Sequence, residues 1–139
     1  LEDGRRIRDA GAASGVPVLV GHQRRHNRVV RRAREIIAAG ELGRPVCATV
    51  LATWLKPDAY FEAAWRREPG GGPVLINLIH DLDLMRFLFG EIVLVQAEAS
   101  SAVRGHPVED TAAVIARFAN GALAVFMVSD TATAPWNWN

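Results

Sequence analysis

The sequence predicts an α+β fold: a mainly antiparallel open sheet with helices on one face, preceded by one helix–strand unit of α/β type. Three observations carry this. Ile92 to Val103, Val108 to Phe118 and Ala122 to Val128 are apolar-rich runs of strand length. Asn120-Gly121, between the last two, is a strong two-residue hairpin signal. Arg28 to Ala39 and Val74 to Phe89 instead carry apolar residues at helical spacing. Strands grouped together, with helices set apart from them, give the α+β class.

The elements follow in order. Asp3 caps a helix that runs to Ser14, with Ile7 and Ala10 on one side, and Gly15 ends it. Val16 to Val20 is continuously apolar, the pattern of a strand covered on both faces. In the second helix Val29, Ala33, Ile36 and Ile37 supply a buried stripe, and Gly40 stops it. Gly43 and Pro45 turn the chain into a strand from Val46 to Trp54, with Val46, Ala48, Val50 and Ala52 on one face. Lys56 to Glu68 is irregular and aromatic, with Tyr60, Phe61 and Trp65. Gly70-Gly71-Gly72 reads as a flexible loop, and Pro73 suits the first turn of a third helix that ends at Gly90. Thr131 to Asn139 has no clear pattern.

A chain of 139 residues suits one domain or pieces of two. Hydrophobic residues make up 50% and charged residues 22%, enough apolar matter for a packed core. No run approaches the roughly 20 apolar residues of a membrane span. The formal net charge of +1 is too balanced for a dedicated nucleic-acid binder. Cys47 is the single cysteine, so no internal disulfide is expected, which fits a cytoplasmic protein. Its apolar surroundings suggest core filler. The chain starts at Leu1 without Met, and the expectation is a fragment of a longer protein.

The third helix holds the strongest chemical signal. Asn77, His80 and Asp83 are spaced three apart and share a face. Imidazole exchanges protons near neutral pH, and a carboxylate one turn away is able to fix its tautomer. A solvent-facing polar stripe accounts for the same spacing. A metal site on His80, Asp81 and Asp83 is disfavoured, because only one histidine is local. The triglycine lacks the lysine and hydroxyl of a phosphate loop. A second segment, His22 to Asn27, follows the apolar run of Val16 to Val20. It carries Arg24 and Arg25 where α/β folds line their clefts. Trp65-Arg66 before the glycines reads either as a pocket wall or as a core anchor.

Taken in order, these segments resemble the Gfo/Idh/MocA oxidoreductase family. The matching pieces are Gly15 to His22, Arg24-Arg25, Ala39-Gly40-Glu41-Leu42-Gly43, Trp65-Arg66 before the glycines, and His80-Asp81-Leu82-Asp83-Leu84 ahead of Gly90. Glu109-Asp110 and Phe118 to Ala122 continue the match. The resemblance implies that residues 1–21 are the end of an NAD(P)-binding Rossmann domain. Residues 22–139 would be a substrate-binding, catalytic and oligomerisation domain that continues past Asn139. It implies His80 as catalytic residue, and Asn77, Arg24, Arg25, Trp65 and Arg66 near substrate. Asp83 would be either a catalytic partner or a helix anchor. The glycine fingerprint and the Glu-Lys-Pro lysine of the family are expected upstream of Leu1, so the cofactor-binding residues are expected outside this sequence. Ile76 and Leu78 stand where many members have an aspartate and a small residue.

The expected function is hydride transfer between NAD or NADP and a polyol, sugar or related secondary alcohol, with this fragment inactive alone. The alternative is a non-catalytic sensor of a sugar or dinucleotide. Expected partners are the small-molecule substrate and a second copy of the chain through the sheet, with no metal, nucleic acid or membrane.

Overall fold

A computed structural model of the chain describes residues 2–134. Helix α1 (Glu2–Ser14) ends where Gly15 adopts φ 69°, a left-handed cap that costs glycine least. The apolar run behind it folds back: a Cβ at buried Gly11 would lie 2.5 Å from Val18 Cγ2. Val16 to Val20 does not form the expected strand and is largely exposed. A strand exists only through its neighbours' hydrogen bonds, and none of the described strands pairs with this run.

Helix α2 (Arg28–Ala38) is capped by Asn27, whose Oδ1 accepts from Val29 N at 2.8 Å. Its inward stripe is Val30, Ala33, Ile36 and Ile37, while Val29 is exposed. Ala33, Ile36 and Ile37 are as expected, and only the first member differs, Val30 standing in for Val29.

Strands β1 (Cys47–Thr53), β2 (Ile92–Ser100), β3 (Thr111–Phe118) and β4 (Leu123–Ser129) form one mixed sheet in the order β1-β4-β3-β2. β1 runs parallel to β4, and the other two pairings are antiparallel. The Asn120-Gly121 hairpin joins β3 to β4, with Gly121 at φ 89° and Ala122 N donating to Asn120 Oδ1 at 2.9 Å. β2 and β3 are shorter than the sequence suggests. Buried Asp110 explains this: its carboxylate accepts from the amides of Val103 and Arg104, closing a turn where the strands would continue.

Helix α3 (Ile79–Phe89) lies on one sheet face, so the α+β arrangement stands as expected. Leu78 and Met85 pack onto Ala112, Val114, Ala116, Phe118, Ala124, Phe126 and Val128. The rings of Phe89 and Phe118 meet at 5.4 Å between centroids. Burial alternates along β3 and along β4 as far as Val128, one residue under the helix and the next outward. Cys47 falls on the outward side and is exposed, contrary to the core position expected of it. The alternation fixes its side, since its register partner Leu123 is also outward.

Candidate functional site

The site is built where the segment after the apolar run meets the start of α3. A 3-10 turn, Gln23–His26, carries two adjacent arginines. Helix α3 presents two carboxylates two residues apart. Arg25 binds Asp83 with two nitrogens, Nε at 2.7 Å from Oδ2 and Nη2 to Oδ1. Arg24 pairs with Asp81 through Nη1 and Oδ1. This tandem of ion pairs pins the turn to the helix and brings His22 beside His80. Their rings meet edge to face, 6.0 Å between centroids with planes at 83°. His22 Nε2 lies 3.8 Å from Asp83 Oδ1.

The two carboxylates differ electrostatically. The Arg25 hydrogen bond holds Asp83 below the usual carboxylate range, against the opposing effect of its burial, with the His22 and Arg25 charges adding to the lowering. Burial pushes Asp81 above that range in spite of the Arg24 ion pair. The ion pair and the upward shift are compatible, because Asp81 Oδ2 is buried with no hydrogen-bond partner among the described residues. Its desolvation is therefore only half compensated. His80 Nδ1 and His22 Nδ1 are likewise buried and unpartnered.

Asn77 and His80 lie on either side of an irregular start to the third helix. Val74–Leu78 is a π-helical turn, and regular α-helix begins at Ile79. Such turns recur at functional sites, because the extra residue re-aims side chains. The triglycine ahead of it is not the free loop expected from sequence. Gly71 and Gly72 are buried. A Cβ on Gly71 would sit 2.2 Å from Trp65 O, and one on Gly72 would sit 2.2 Å from Glu109 Oε1. Glu109 also accepts from Val74 N at 3.1 Å, capping the π-turn. Close packing, rather than mobility, is what these two glycines serve.

The Trp65-Arg66 pair forms its own cluster. The Arg66 guanidinium lies 3.9 Å from the Tyr60 ring centroid and 5.3 Å from that of Trp65, and Nη1 donates to Tyr60 O at 2.6 Å. Trp65 is exposed, so it is not a core anchor. No hydrogen bond joins Trp65 or Arg66 to His80. The link between the two clusters is Gly71, pressed on the Trp65-Arg66 backbone just ahead of the π-turn.

Three participants went unassigned from sequence: His22, Asp81 and Glu109. The spacing held a signal for one of them, since adjacent arginines matched to carboxylates at Asp81 and Asp83 suggest a double latch. Nothing local marks Glu109, which lies 35 residues from Val74. Among the described residues no group of three or more His, Cys, Asp or Glu side chains is arranged to hold a metal ion. Nor is any helix long and apolar enough to cross a membrane.

A family model described as the GFO/IDH/MocA C-terminal domain matches residues 30–138. The chain belongs to the Gfo/Idh/MocA family of oxidoreductases. Among curated members, 1,5-anhydro-D-fructose reductase of Ensifer adhaerens is 34% identical over 131 residues, covering 91% of this chain and 39% of the relative. The WlbA dehydrogenase of Bordetella pertussis, solved in complex with NADH and UDP-GlcNAcA, has 31% identity and a TM-score of 0.86. That match covers 96% of this chain and 41% of the solved one. A levoglucosan dehydrogenase in complex with NADH has 25% identity and a TM-score of 0.78, over 96% of this chain and 39% of that structure. The chain thus spans about two fifths of the length of these Gfo/Idh/MocA relatives.

Proposed function

We propose that this chain is the substrate-binding and catalytic part of an NAD(P)-dependent oxidoreductase. Its substrate would be a polyol, a sugar or a related secondary alcohol. The observation that carries the reading is His80, half-buried at the start of α3 within the matched family domain, one turn from Asn77 and against a second imidazole. Imidazole suits the transfer of a hydroxyl proton. Asn77, half-buried on the π-turn, offers an amide to hold a substrate hydroxyl. Arg24 and Arg25 act chiefly by pinning the turn against α3, since their guanidiniums are engaged with Asp81 and Asp83. Trp65 supplies an exposed aromatic wall, backed by the half-buried Arg66 guanidinium, that suits a sugar ring.

A nicotinamide dinucleotide supplies the hydride acceptor when bound. The residues of this chain do not fit its phosphates. The one glycine run ahead of a helix has Glu109 against Gly72, an anion where a phosphate would need donors. The chain alone is therefore expected not to bind NAD. Calorimetric binding at micromolar affinity would mean that the phosphate site lies within these residues after all. Sugar-like ligands and NADH in the solved relatives support the substrate and cofactor classes. A cytoplasmic location fits the lone unpaired cysteine.

The decisive test is His80→Asn in the full-length protein, assayed for NAD(P)H formation across polyols and sugars. Removing an acid–base group of this kind lowers kcat by about 10²–10⁴-fold. The thermal midpoint is expected to hold, since no large cavity opens. Near-normal turnover with a large loss of stability would make His80 a structural residue. No turnover by the wild type on any substrate, together with sugar binding, would favour the sensor.

A further inference from the structure

A histidine that handles a proton with one ring nitrogen works best when the other is held, because that partner fixes tautomer and ring plane. The carboxylates nearest in sequence do not hold His80. Asp83 turns both oxygens to Arg25, and Asp81 gives Oδ1 to Arg24. His80 Nδ1 stays buried and without a hydrogen-bond partner among the described residues. The polar ring against it is His22. Asp83 Oδ1 lies behind that ring, 3.8 Å from Nε2 and beyond hydrogen-bond distance, and the His22 backbone is tied by its N donating to Val20 O at 2.9 Å. Asp83, His22 and His80 therefore form a row of carboxylate, imidazole, imidazole. Neighbouring rings that each bury an unpaired nitrogen are costly unless a small rotation joins them. Catalytic hydrogen bonds commonly tighten in this way when ligand binds.

We propose that His22 is a positioning residue for His80: set between Asp83 and His80, its imidazole holds the His80 ring in one plane and one tautomer. The proposal rests on the reading of His80 as the proton-handling group. It gives Asp83 a role through His22, with no direct contact to His80. It also gives a purpose to the Arg25–Asp83 bond, which holds the carboxylate near His22.

The test uses the full-length protein with ¹⁵N-labelled imidazoles. His22→Phe keeps a ring and removes both nitrogens, while His22→Asn keeps a polar group near the Nδ1 position. In the wild type the His80 nitrogens should report one tautomer. In His22→Phe they should report a mixture, and His22→Asn should largely restore the single form. Turnover is followed with 1,5-anhydro-D-fructose and NADH or NADPH as probe. His22→Phe should lower kcat by about 10- to 100-fold, the usual scale for an orienting partner, with KM nearly unchanged. In a His80→Asn background the same substitution should cause no further fall. His80 signals that are unchanged by His22→Phe, or kcat effects that multiply, would overturn the proposal. If His80→Asn keeps its turnover while His22→Phe still mixes the His80 tautomers, the proton-handling reading fails and the positioning of the ring by His22 stands.

Discussion

Asp81 and Asp83 sit two residues apart on one helix, yet their environments drive them in opposite directions. Asp83 is held low by the Arg25 hydrogen bond, so its contribution to stability is fully present above the unfolded carboxylate value of about 3.9. That contribution is lost as pH falls through the lower, folded value. Asp81 is raised by burial, so its charged form disfavours the fold. Its stabilising effect is present below the unfolded value and lost as pH rises through the folded one. Asp83→Asn should therefore cost roughly 1–3 kcal/mol at neutral pH, with Arg25 left unpaired but partly in water. The cost should shrink steadily below about pH 4. Thermal midpoints of both proteins measured from pH 3 to 7 check this, and a difference that stays constant across the range would refute it. The shared helix face of His80 and Asp83 was legible from spacing, while a role for His80 came from the family resemblance. Their partners were not legible, since periodicity cannot say which loop, some 58 residues away, meets that face.

At the scale of elements, the Gly71–Gly72 turn decides how the Trp65-Arg66 segment meets the π-turn. The obstacles to a side chain differ at the two positions. At Gly71 a Cβ meets backbone, Trp65 O at 2.2 Å and Arg66 Cα at 2.7 Å, which cannot swing aside. At Gly72 it meets the end of the Glu109 side chain, which can rotate away at the expense of its bond to Val74 N. Gly71→Ala should then cost about 2–3 kcal/mol, near the top of the overpacking range, and Gly72→Ala about 1 kcal/mol. Glu109→Gln should resemble Gly72→Ala, because both weaken the same cap. Denaturant midpoints rank the three, and equal costs at the two glycines would contradict this reading of the contacts. Sequence alone suggested a mobile loop here because glycine signals freedom and close packing alike. The strand expected at Val16 to Val20 failed for a related reason: apolar residues announce a need for cover, and the cover must come from other chain segments.

At the scale of the whole fold, one face of the sheet is packed under α3, and among the described residues nothing covers the other. Leu51, Ile115, Val125 and Met127 remain 42–49% exposed there. They are contiguous, since Val125 pairs with Thr49 and Ile115, and Met127 with Leu51 and Ala113. Alternation in Val46 to Trp54 marked one face of that strand but not whether the helix would cover it. Ala48, Val50 and Ala52, which the sequence puts on one face, are packed toward the core. The outer role falls to Thr49 and Leu51. Monomeric proteins seldom expose a continuous apolar patch beyond a few hundred Å². A flat sheet face is self-complementary across a two-fold axis, so a second copy is the simplest cover. Glu98 and Arg117, on the same face by register, give the patch a charged margin of both signs. Light scattering of the full-length protein should therefore report a dimer or larger assembly. Val125→Arg, a charge at the centre of the patch, should return it to monomer at the same concentration. Its circular dichroism should be unchanged, because the outward side of β4 carries no core contact. A wild-type monomer at working concentrations would leave this face uncovered and the prediction wrong. Loss of secondary structure in Val125→Arg would instead mean that the face is covered by another part of the same chain.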